Sequence, residues 1–74
     1  MKGRLQEVLA KAQFADDVAL YTVQYRDRDR LVEVPLSDFL ALAEVPLWRI
    51  ARIRRVRTVV YETKDARLLR LDSA

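Results

Sequence analysis

Five arginines fall within nine residues, at Arg49, Arg52, Arg54, Arg55 and Arg57, directly after Trp48 in the stretch WRIARIRRVR. A guanidinium donates two parallel hydrogen bonds to a phosphate and stacks on planar rings, so arginines beside an indole suit phosphate-and-base binding. Tyr25 and Tyr61 add aromatic surface in neighbouring segments. The opposing reading is a solvated strand face, its arginine stems covering apolar surface and its charges meeting Glu44 and Glu62 across strands. Eleven of the fourteen basic residues are arginine, which makes compositional bias a competing explanation. Trp48 reads first as a core or subunit-interface plug, and second as a platform for a base. Arg26 lies in the alternating-sign run Tyr25-Arg26-Asp27-Arg28-Asp29-Arg30, most simply a self-compensating hairpin tip.

Other chemistries are poorly served. The sequence contains no His and no Cys, which removes a His general base, a Ser-His pair, a His-ligated metal and a thiolate metal site. Ser37 and Ser73 are the only serines, and the single Gly leaves no glycine-rich phosphate cradle. The eleven Asp and Glu residues show no motif spacing. The expectation is a non-enzymatic module with no cofactor and no metal.

The elements that must position the arginines come from a chain of 74 residues, read as one domain over residues 1–74. Domains of this size bury only about 60% of their unfolded surface, so a homodimer would add welcome burial. Half the residues are hydrophobic and a third are charged, a globular composition. There is no signal-peptide stretch, and no apolar run near the roughly 20 residues of a membrane span. The expected location is the cytoplasm, away from membranes.

Leu5, Val8, Leu9 and Ala12 recur at helical spacing and predict a helix over residues 4–14. Residues 18–26 alternate as a strand, with Ala19, Tyr21, Val23 and Tyr25 on one face and Thr22, Gln24 and Arg26 on the other. Asp27-Arg28-Asp29 forms a turn, and residues 30–34 pair back until Pro35 ends the strand. Residues 36–43 admit a short helix carrying Phe39, Leu40 and Leu42, capped by Ser37 or Asp38. Ile50, Ile53 and Val56 recur every three residues, which suits neither a helix nor a strand. The compromise is a helical turn over residues 47–50 started by Pro46, then a strand over 51–55. Ala51 and Ile53 then face inward, with Arg52 and Arg54 outward. Residues 58–63 pair back with Val59 and Tyr61 on one face, and residues 67–71 form a short last strand or a frayed tail. The fold class is α+β, an N-terminal helix packed on a small antiparallel sheet of four or five strands.

This order of pieces resembles the RNA cyclic-group end recognition domain. The residues that carry the likeness are Val8-Leu9, Tyr25-Arg26-Asp27-Arg28 and Val34-Pro35-Leu36-Ser37-Asp38-Phe39, then Val45-Pro46-Leu47-Trp48-Arg49-Ile50 with Arg52-Ile53, and Val59-Val60-Tyr61-Glu62. The resemblance implies recognition of RNA ends, particularly 2′,3′-cyclic phosphates, beside an RNA ligase or nucleotidyltransferase partner. By position Arg49 carries that family's arginine of the second Pro phrase and Arg26 its turn arginine, while Trp48 stands where the family usually has His.

The expected function is therefore RNA binding through Arg26, Trp48, Arg49, Arg52 and Arg54. Two alternatives stay open. One is a protein-interaction or dimerisation module whose arginine-rich face meets an acidic partner. The other is a DNA-binding regulator with residues 47–57 as a groove helix.

Overall fold

The computed structural model describes residues 4–42, 44–68 and 70–71. The apolar stripe read from the sequence forms helix α1 (Arg4–Ala10), which continues as a π-helical segment (Lys11–Ala15). Leu9 and Ala12 are buried and Leu5 and Val8 pack beside them. In the widened segment the Gln13 side-chain amide donates to the Leu9 carbonyl at 3.2 Å.

The chain does not enter the sheet at residue 18. Asp17 Oδ1 accepts from the Ala19 N–H at 3.0 Å and caps a 3-10 turn (Val18–Leu20), so Ala19 is exposed instead of facing the core. Strand β1 (Tyr21–Asp27) pairs with β2 (Arg30–Pro35) through the two-residue turn Arg28-Asp29, one residue shorter than expected because β1 runs on through Asp27. Helix α2 (Leu36–Ala41) follows, with Pro35 at its N-cap and no side-chain cap from Ser37 or Asp38. Of its expected apolar trio only Phe39 is buried, against Tyr25 with ring centroids 5.5 Å apart. Pro46 starts a 3-10 turn (Leu47–Arg49), as expected, and β3 (Ile50–Arg55) and β4 (Thr58–Glu62) form the second hairpin. A further 3-10 turn (Lys64–Leu68) leads to β5 (Arg70–Leu71).

The sheet order is β4-β3-β1-β2-β5, with the first four strands antiparallel. This is the α+β architecture the sequence implies, with one difference: the expected last strand is reduced to Arg70–Leu71 and pairs parallel, not antiparallel, with β2. Both helices cover one face, where Tyr21, Val23, Leu36, Phe39, Ile50 and Ile53 join Leu9 and Ala12 in the core.

The three-residue recurrence has a physical solution in a β-bulge. Gln24 pairs with Arg52 and Tyr25 with Ile50, so Ala51 is the extra residue. The bulge lets Ile50 and Ile53 share the helix-covered face despite their spacing. It also corrects the assignment of Ala51, which is buried with Leu31 and Ala66 in a separate small cluster. A second irregularity skips Val60 between the Ile53–Tyr61 and Arg54–Val59 pairs. Val60 and Tyr61 consequently both pack toward the core, while Val59, expected beside Tyr61, is left exposed.

The turn between β3 and β4 carries strain. Val56 has φ 57°, in the left-handed region where its Cβ crowds the backbone and a β-branched residue is an outlier. Its N–H is fixed by a 2.8 Å bond to the Leu20 carbonyl, and its side chain is exposed. Val56→Gly should therefore stabilise the fold by about 1 kcal/mol and raise Tm by about 4–8 °C, since glycine occupies this region without the Cβ clash. A thermal melt that shows no rise would mean that the turn holds no such strain.

Candidate nucleic-acid interface

The sheet face opposite the helices collects the polar residues of alternate positions on β1 to β4. Antiparallel pairing sets Gln24 beside Glu33 on one side and Arg52 on the other, and Arg52 beside Glu62. Arg52 Nε donates to Glu62 Oε2 at 2.7 Å, and its Nη1 donates to Gln24 Oε1 at 2.6 Å. Gln24 Nε2 donates in turn to Glu33 Oε2 at 2.7 Å, and Arg54 Nη2 donates to the same Glu33 oxygen. Arg54 Nε is buried without a hydrogen-bond partner. The result is a chain of hydrogen bonds that crosses four strands. Gln24 lies on the face opposite Tyr21 and Val23, as expected, and is only 3% exposed as the central link of these bonds.

A second arginine is held more completely. Arg26 Nε and Nη2 donate to the two Asp65 carboxylate oxygens at 2.7 and 3.0 Å. Its Nη2 also donates to Thr63 Oγ1 at 3.2 Å, and its Nη1 to the Trp48 carbonyl at 2.7 Å. All three guanidinium nitrogens are thus engaged inside the protein. Arg26 is not part of a self-compensating hairpin tip; it pairs with Asp65 and pins the 3-10 turn that presents Trp48. The indole does not plug the core, because the residue is 69% exposed. The Arg49 guanidinium carbon lies 5.5 Å from its ring centroid, in cation–π range.

At the other end of β3, Arg55 Nε donates to Asp16 Oδ2 at 2.7 Å, and Tyr21 Oη donates to the same oxygen at 2.9 Å. This lock ties the end of the first helical segment to the sheet. Burial first, and then Asp16, hold the Tyr21 phenol above its ordinary value near 10.

Of the five expected contact residues, Trp48 and Arg49 come together on an exposed surface, with Arg26 directly beneath them. Arg52 and Arg54 lie in the cross-strand chain and face carboxylates of their own protein. The expected Glu62 pairing is present, to Arg52. The sequence reading missed Asp65, Thr63, Gln24 and Glu33. Fixing the first turn at Arg28-Asp29 places Glu33 opposite Gln24, so that pair had a signal. Asp65 lies 39 residues from Arg26 and had none. Among the described residues no group of three or more His, Cys, Asp or Glu is arranged to hold a metal, and no helix is long and apolar enough to cross a membrane. Comparison with protein-family models, with curated proteins and with solved structures finds no match to this chain.

Two outcomes follow from the pairing. Arg52→Ala strands a buried amide oxygen and the Glu62 carboxylate, so it should cost about 1–3 kcal/mol in urea unfolding, measured as a lower midpoint. An unchanged midpoint would mean that the chain of bonds is only decorative.

The second outcome concerns acid. Hydrogen bonds from Arg55, and then from the Asp17 N–H and Tyr21, hold the Asp16 carboxyl well below the ordinary carboxylate value of 3.8. Arg26, and then Thr63, do the same for Asp65. Both groups bind protons more weakly when folded, so their stabilisation is complete above about pH 4 and is lost as pH falls below it. Thermal melts should be flat from about pH 7 to 5 and fall steeply below about pH 4. The acid limb should be shallower in the Asp16→Asn, Asp65→Asn double variant; an equally steep limb would place the acid sensitivity elsewhere.

Proposed function

We propose that this chain is a non-enzymatic RNA-binding module that stacks a base of a single strand on Trp48 and sets Arg49 against an adjoining phosphate. The observation that carries the reading is an indole 69% exposed on a turn whose backbone is clamped by Arg26. Exposing a tryptophan in water is unfavourable, and holding it rigidly exposed suits a stacking partner. Base–aromatic stacking contributes about 1–3 kcal/mol and tolerates any base. Arg26 acts as a positioning residue, and Arg52 and Arg54 as scaffold. The resemblance to the RNA cyclic-group end recognition domain supports the finer proposal: a cytoplasmic module reading RNA ends with a 2′,3′-cyclic phosphate, next to an RNA ligase or nucleotidyltransferase.

Trp48 is the only tryptophan, so its emission reports on the proposed site directly. Titration with a short single-stranded RNA should quench that emission. The log–log salt slope should be about −0.7 to −1.4, for one or two phosphate contacts. Trp48→Ala should weaken binding by about 1–3 kcal/mol, read by anisotropy of labelled RNA. Matched RNAs ending in cyclic phosphate, 3′-monophosphate or hydroxyl then test end recognition: tighter binding of the cyclic end supports it, and equal binding leaves backbone-and-base contact alone. Binding that ignores Trp48→Ala would sink the platform.

A further inference from the structure

The β4 side of the sheet has a character of its own. Among the described residues, strand β4 is an edge paired only with β3, so one side of its backbone can take another strand. The bulge at Val60 tilts that residue toward α1 and leaves Val59 46% exposed. Between α1 and this edge lies an open groove of about 240 Å³, with Val8 and Val60 among its apolar walls and Arg4, Glu7 and Lys11 along the helix side. Arg57 and Lys64 stand just beyond the two ends of β4.

Charge decides the occupant. The carboxylates Glu33 and Glu62 on the sheet, and Asp16 and Asp65 beside it, are held by Arg54, Arg52, Arg55 and Arg26. Among the described residues, Arg4, Lys11, Arg57 and Lys64 have no such carboxylate, and Glu7, beside Arg4 and Lys11, is the one acid lining the groove. A second copy pairing antiparallel through β4 would bring Arg57 of one chain beside Lys64 of the other, which like-charge repulsion opposes. We propose that the free edge of β4 binds an extended acidic peptide as a sixth strand, with one apolar side chain of that peptide seated between Val8 and Val60. Main-chain hydrogen bonds supply the affinity and the basic flanks supply the selectivity. The site is separate from the Trp48 turn, and the proposal does not rest on RNA binding.

The test uses the blocked peptide Ac-Asp-Asp-Val-Thr-Val-Asp-Asp-NH₂, its charge-reversed lysine twin, and a version N-methylated at the central threonine. Amide NMR of the whole chain should show shifts on β4 and on the Val8 to Lys11 stretch of the helix, leaving the Trp48 indole signal in place. The lysine twin and the N-methylated peptide should not bind. Arg57→Glu and Lys11→Glu are exposed changes that preserve the fold, and each should weaken the acidic peptide about fivefold. Equal binding of both charge types, shifts away from β4, or no binding would overturn the proposal. So would concentration-dependent shifts on β4 without peptide, which would identify the occupant as a second copy. A short single-stranded RNA that shifts the β4 amides would overturn it too.

Discussion

The order of charges across the first four strands of this sheet depends on the amide of Gln24. Both of its hydrogen-bond partners are charged, and a charge drawn out of water is tolerated only with a hydrogen-bonded partner. Gln24 meets that condition in both directions at once, accepting from Arg52 and donating to Glu33. A carboxylate at that position would donate nothing to Glu33, and a lysine would accept nothing from Arg52. The side chain therefore sets the order of charges across four strands, and it turns a row of arginines into part of the framework.

That constraint changes what arginine richness means. Spacing alone presents Arg52 and Arg54 as an outward face ready for phosphate, and they are on the outward face. Their donors, however, point at Glu62 and Glu33, which strand pairing brings alongside. What is left for a ligand is narrower: one indole, one arginine over it, and a half-buried arginine fixing the backbone beneath. The site is small because Arg26, Arg52, Arg54 and Arg55 are already matched by carboxylates of their own chain.

The helix and the two hairpins were legible because each rests on local signals: a 3.6-residue stripe, alternation of β-branched residues, and charged turns. The site was legible only in part. Trp48 and Arg49 stood out by residue type, and the 3-10 turn that carries them followed from Pro46. The bulge at Ala51 was visible only as a conflict, because Ile50 and Ile53 could not share a face on a regular strand. The Arg26–Asp65 clamp was invisible, since it joins residues 39 apart through a segment that has no periodic pattern. Local physics writes the elements; long-range pairing decides which charges remain free.

The widened turn at the end of the first helical segment has a consequence for how this chain tolerates insertions and deletions. A π-helical segment holds one residue more than the α-helix it replaces, and the Gln13 side-chain amide bonds the Leu9 carbonyl there. Removing one residue there would let the helix close into a regular form, but it would swing every later side chain around the axis. Asp16 would then leave Arg55 and Tyr21. Sequence length in those five residues is thus fixed by a carboxylate that lies just outside them, and relatives of this chain should vary in composition there while keeping the count.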